Sequence, residues 1–183
     1  SILSLLVLSA CGGGSKEEPG SVTTPVTPDP TPDPEPVVPT SYSGSVIKGP
    51  LENALVFLDY DGDGVLGADE PSVRTSSDGS FSVEGNVEGL GFVAQTDSTT
   101  VDTSSGEVLD NVVLKAPSGS SVVTPATTIM EEAGITKEEV SAVLGLPEGV
   151  DPTSFNPYSA DADPEVALAV EKVSQQIMTT ITA

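Results

Sequence analysis

The chain contains no histidine, no tryptophan and a single cysteine, and only 6 of its 183 residues are Lys or Arg. Each scarcity excludes a class of chemistry. Without histidine there is no imidazole base or metal ligand, so a His-dependent triad and a His-ligated zinc site are both excluded. One cysteine excludes an internal disulfide and a multi-cysteine metal cluster. With 28 Asp and Glu the formal net charge is −22. Binding a phosphate backbone needs a basic footprint, so this charge argues against nucleic acid as a partner. The length fits one domain, or two small ones with a linker, at ~100–200 residues per domain. What remains is a calcium protein, a structural or binding module, or a carboxylate enzyme.

Long apolar runs are also missing. The chain opens on Ser1, and Ile2 to Leu8 is too short to cross a bilayer, which needs roughly 20 residues. It has the length of a signal-peptide apolar region without its basic start. Leu8-Ser9-Ala10-Cys11 follows, then Gly12-Gly13-Gly14-Ser15. This string resembles the lipobox of bacterial lipoproteins. The resemblance implies a diacylglycerol on Cys11, cleavage before it, and a membrane partner reached through that lipid. Gly12 after the cysteine is similar to the outer-membrane-sorted members. Residues 1–10 are then a leader remnant. The other end, Ala183, falls inside an apolar-periodic stretch, so the chain reads as a piece cut at both ends.

Between Pro19 and Pro39 there are eight prolines in 21 residues. Such a segment favours extended polyproline II and buries no core, reaching on the order of 60 Å at ~3.1 Å per residue. We read residues 11–41 as a lipidated, Pro-rich stalk or linker.

Residues 42–116 change character. Short β-branched runs (Ser45 to Ile47, Ala54 to Leu58, Ser80 to Val83, Gly91 to Ala94, Val108 to Leu114) alternate with Gly, Asp and Ser clusters, and read as strands of a small sandwich. Asp78-Gly79, between Val73-Arg74-Thr75 and Phe81-Ser82-Val83, reads as a hairpin turn. Within this region, Asp59 to Glu70 matches the calcium-loop pattern D-x-[DN]-x-[DN]-G-x5-E at every defined position. Asp59, Asp61 and Asp63 supply carboxylates at positions 1, 3 and 5, and Gly64 permits the sharp turn. Val65 offers its carbonyl at position 7, and Glu70 closes the shell at position 12. Gly67 at position 9 has no ligand of its own, which predicts a water there. The loop is not flanked by EF-hand helices. Pro71 follows Glu70 where an exiting helix would begin, and Leu55 to Leu58 suits a buried strand. The expected loop therefore joins two strands.

The stretch from Gly49-Pro50-Leu51 through Leu55 to Asp59, Asp63-Gly64 and Glu70-Pro71, then Ser77 to Phe81, resembles the prealbumin-like B-type modules of bacterial surface adhesins. The likeness covers about 40 residues. It implies a stabilising calcium ion and a stalk or adhesive role rather than catalysis. The fold expected is mainly β: a small immunoglobulin- or prealbumin-like sandwich followed by a small helical subdomain over 117–183.

In that last segment, Thr124-Pro125 starts a helix that Gly134 can stop, and Thr136 with Glu139 forms a capping box. Val140, Val143 and Leu144 then share a face. Asp163-Pro164 opens a third helix with a stripe of Val166, Val170, Val173, Ile177 and Ile181, expected to pack as core. The run from Lys115 to Pro125 with the helices after it also resembles a segment that follows such modules in large bacterial surface proteins, which bears on location only.

Catalysis has weaker support. Asp97, Asp102, Glu107 and Asp110 offer carboxylates for glycoside hydrolysis, but aromatics are 4% of the chain and no nucleophile-elbow string occurs. Asp97, Asp102 and Asp110 are expected on solvated turns, with a second calcium site there left open. The expectation is a non-enzymatic, lipid-anchored cell-surface module stabilised by calcium, with a glycan or protein ligand unassigned. The alternative is the non-catalytic front of a secreted lipoprotein hydrolase.

Overall fold

The computed structural model describes residues 40–85 and 89–181. Cys11, the expected leader remnant 1–10 and the expected linker up to residue 39 lie outside the described residues, as do residues 86–88. The protein is mainly β with helices after the strands. In chain order the strands are β1 (Thr40–Val46), β2 (Leu51–Glu52), β3 (Leu55–Leu58), β4 (Ser72–Arg74), β5 (Ser80–Gly85), β6 (Phe92–Gln95), β7 (Val101–Asp102), β8 (Glu107–Val108), β9 (Val113–Ala116) and β10 (Val122–Val123). The helices are α1 (Pro125–Ala133), α2 (Lys137–Leu144) and α3 (Pro164–Ile181).

A three-stranded sheet, β10-β1-β5, faces a four-stranded sheet, β4-β3-β6-β9, and a small third sheet orders β2-β7-β8. Alternation builds the core. In β5, Phe81 and Val83 are buried while Ser82 and Glu84 are exposed. Val56, Leu58, Phe92, Ala94, Leu114 and Ala116 meet them from the opposite sheet in one apolar cluster. The rings of Phe81 and Phe92 stand edge to face at 5.0 Å across the sandwich.

Two expectations about the strands are corrected. Asp78-Gly79 is a turn but not a hairpin, because β4 pairs with β3 and β5 pairs with β1. It carries the chain from one sheet to the other, with Gly79 in the left-handed region at φ 78°. Its amide donates to Ser76 O and its carbonyl accepts from Val46 N, so the turn is stitched to β1. The expected strand over 108–114 breaks in two at Asn111, whose φ is 57°. Sheet pairing continues past residue 116, the expected end of the sandwich. β10 returns to lie parallel to β1, pairing Ser45 with Val122 and Val46 with Val123. Met178 of α3 enters the sandwich core, and all the described residues fall in one compact unit.

The helices start where their caps predict. Thr124 Oγ1 accepts from Thr127 N, and Thr136 and Glu139 exchange bonds reciprocally. Asp163 accepts from the Glu165 and Val166 amides. Gly134 and Gly145 end α1 and α2 in left-handed geometry. The apolar faces differ from expectation. Val140 is buried, but Val143 is 74% exposed. On α3, Ala167, Ser174, Ile177 and Met178 are buried, while Val166, Val170 and Val173 are only half-buried. No described helix is long and apolar enough to cross a membrane.

Helix α1 closes a sheet edge. The outward-facing backbone of Lys115 in edge strand β9 donates its N–H to Thr128 Oγ1 (2.9 Å), and its carbonyl accepts from Thr127 Oγ1 (2.7 Å). Two helix hydroxyls thus take the place of a neighbouring strand.

Candidate metal centre

The loop of residues 59–71 joins β3 to β4. Its ends are held by the antiparallel ladder from Leu55–Arg74 to Phe57–Ser72 and by Leu58 N on Pro71 O. The expected strand–loop–strand setting is the one observed. Within the loop, acidic side chains fold the backbone. Asp59 accepts from Gly62 N (2.7 Å) and Gly64 N (2.9 Å), one bond on each carboxylate oxygen. Asp61 accepts from Asp63 N (3.2 Å) and Asp63 from Val65 N (2.7 Å). The bonds from Asp63 N and Val65 N close Asx turns, and the residues inside them, Gly62 and Gly64, sit in the left-handed region at φ 76° and 75°.

The result is convergence. One carboxylate oxygen each from Asp59, Asp61 and Asp63 lies within 4.8 Å of the others, with Asp59 half-buried and the other two exposed. This group can hold a metal ion. Its donors are all carboxylate oxygens, with no nitrogen or sulfur, which suits a hard cation. Without one, three carboxylates at this separation repel.

Glu70 takes a different position from the one the spacing suggests. It is outside the converging group, and its two oxygens accept from Tyr60 N (2.6 Å) and Gly67 N (2.7 Å). It laces the end of the loop to its beginning. Val65 keeps its side chain in solvent, compatible with a residue whose expected role is a backbone carbonyl.

Two residues that spacing does not reveal complete the surroundings. Gln95, on the outer face of β6, donates from Nε2 to Gly64 O (3.1 Å) and holds the loop against the sheet. Lys115, on the outer face of β9, pairs with Glu132 of α1 at 2.6 Å. A methyl group on Gly64 would lie 3.5 Å from the Lys115 ammonium. The hydrogen bond to Glu132 raises the Lys115 pKa against a smaller effect of burial, and the charges of Glu132, Asp59 and Glu131 raise it further. A cleft of about 510 Å³ opens between Asp59, Asp61, Lys115 and Glu131.

The remaining candidate carboxylates do not assemble. Among the described residues, Asp59, Asp61 and Asp63 form the only group of three or more acids close enough to share an ion. Asp97 pairs with Arg74 at 2.7 Å. Asp102 is buried rather than solvated, and pairs with Lys48 at 2.8 Å. Glu107 and Asp110 are exposed. No second site forms from Asp97, Asp102 and Asp110.

Comparison with protein families, with curated proteins and with solved structures finds no match to the chain. Fold and site together define a β-sandwich carrying an acidic inter-strand loop able to hold a metal ion.

Proposed function

We propose that the chain is a non-enzymatic bacterial cell-surface module, anchored by lipid at Cys11 and stabilised by one calcium ion, with an adhesive, stalk or structural role. The observation that carries this reading is the convergence of Asp59, Asp61 and Asp63 in a loop, residues 59–71, pinned at both ends by paired strands. Calcium is the cation this donor set favours. It takes six to eight oxygens at ~2.3–2.6 Å in adaptable geometry, whereas magnesium demands a tight octahedron and sheds water reluctantly. Three carboxylates, the Val65 carbonyl and water supply most such a shell, with Glu70 completing it by turning from the amides it now holds. Binding at about 10⁻⁴ to 10⁻³ M, the range of extracellular modules, suits a protein bathed in millimolar calcium. The Leu8-Ser9-Ala10-Cys11 string supports the anchor, and the Pro-rich stretch supports a spacer between anchor and sandwich.

The test of the metal is a set of thermal melts of the whole chain in excess chelator, then in calcium or magnesium, beside Asp61→Ala. At 100 times the dissociation constant the wild type gains ~2.7 kcal/mol. Calcium should exceed magnesium, and the variant should lose most of the gain. An equal response from both proteins would mean mere screening of the −22 charge. The anchor is tested by Cys11→Ser in a precursor with a complete leader, expressed in a Gram-negative host. The variant should leave the membrane fraction, and unchanged partitioning with unchanged mass would refute lipidation.

A further inference from the structure

The chain has 6 Lys and Arg in all, and it places one of them beside the loop where a metal cation is expected. For a calcium site this placement is unfavourable, since an ammonium within a few ångströms lowers the affinity for a divalent ion. For the empty loop the same placement is favourable. Lys115 is three-quarters withdrawn from solvent, less exposed than its partner Glu132. It lines one cleft together with Asp59, Asp61 and Glu131. The ammonium pairs with Glu132 of α1 at 2.6 Å and borders the loop, 3.5 Å from where a Cβ on Gly64 would stand.

We propose that Lys115 is a tethered counter-cation that sets the calcium affinity of the loop. It partly neutralises the three aspartates when no ion is bound and is drawn back by Glu132 when one is. This rests on the calcium reading above and adds a residue that the ligand pattern does not contain. The strand β9 and the helix α1 begin 42 and 54 residues beyond the loop, so the device exists only in the folded chain. It also ties cation binding to the seating of α1, whose Thr127 and Thr128 hydrogen-bond the backbone of the same lysine.

The experiment is a calcium titration of the whole chain by calorimetry at fixed ionic strength, for the wild type and for Lys115→Met, Glu132→Gln and Lys137→Met. Lys137→Met is the control, removing an equal charge from a surface pair with Asp151. Lys115→Met should bind calcium about three- to tenfold tighter, and Lys137→Met should stay within about twofold of the wild type. Glu132→Gln should bind more weakly, because the ammonium is released toward the loop. That effect should shrink in the double variant with Lys115→Met, which separates it from simple loss of a negative charge. Glu132 is exposed, so its variant remains informative if Lys115→Met fails to fold. Affinity unchanged in Lys115→Met, or an undiminished Glu132→Gln effect in the double variant, would overturn the role of Lys115 and leave the calcium site standing. Absence of any calcium binding by the wild type overturns the site itself, and is seen before any variant is made.

Discussion

Asp102 and Lys48 form an ion pair at 2.8 Å whose carboxylate is 3% exposed and whose ammonium is 16% exposed. The aspartate also accepts from Ser104 N (3.0 Å) and Ser104 Oγ (2.6 Å). A side chain at Gly49 would collide with it, so glycine is needed for this close approach. Burial pushes the Asp102 carboxyl up, but the hydrogen bonds from Lys48 and Ser104, with the Lys48 charge, outweigh it and hold the carboxyl below its ordinary value.

Removing the carboxylate from that pair leaves a largely buried ammonium without its partner. Asp102→Ala should therefore destabilise the fold by about 3 kcal/mol, read as a lower urea midpoint at unchanged slope. A loss below about 0.5 kcal/mol, the level of an ordinary surface substitution, would show the pair to be energetically idle.

Acid should act on Asp97 in a defined window. The Thr99 hydroxyl, then Arg74 and the Thr99 amide, bring its carboxyl from 3.8 down to about 2. A depressed folded pKa means stability that is full above the unfolded value and lost as pH falls through the folded one. The melting-temperature difference between wild type and Asp97→Asn should thus be constant above pH ~5 and disappear between about 4 and 2. Melts across that range check it, and a difference that persists at the acid end would contradict it.

Glu70 should matter even without an ion. Its oxygens hold the amides of Tyr60 and Gly67, and Gln keeps an acceptor for only one of them. In excess chelator, Glu70→Gln should lower stability by about 1–2 kcal/mol. If the variant matches the wild type in chelator and differs only in calcium, its role is ligation alone.

Thr127 is fully buried and its hydroxyl serves the carbonyl of Lys115 at 2.7 Å while accepting from Thr124 N at 2.8 Å. Valine has nearly the same shape but satisfies neither group. Thr127→Val should cost about 1–3 kcal/mol and speed hydrogen exchange at the start of α1. Normal protection there would show that Thr128 suffices.

A chain ending at Ala116 should fail to fold. It loses β10 from beside β1, where Ser45 N and Ile47 N bond to Ser121 O and Val123 O, and it loses Met178 from the core. Residues 40–116 alone should show no cooperative melt where the whole chain shows one. A cooperative melt would support the boundary suggested by composition.

The features that could be read directly are those decided within a few residues. Thr124-Pro125, the Thr136–Glu139 box and Asp163 start helices because a side chain two or three positions away satisfies a free amide. Asp59, Asp61, Asp63 and Gly64 shape a loop by bonds that span no more than five residues. The local pattern therefore determined the helix starts, the strand-rich front and the gathering of three carboxylates. Tertiary structure decided what lies beside what. Lys48 reaches Asp102 across 54 residues and Gln95 reaches Gly64 across 31. Asp78-Gly79 turns between sheets rather than within one, and β10 returns to β1 past a change in composition. Each depends on which strand is neighbour to which. That choice comes from packing two apolar faces together, and no local pattern of residues encodes it.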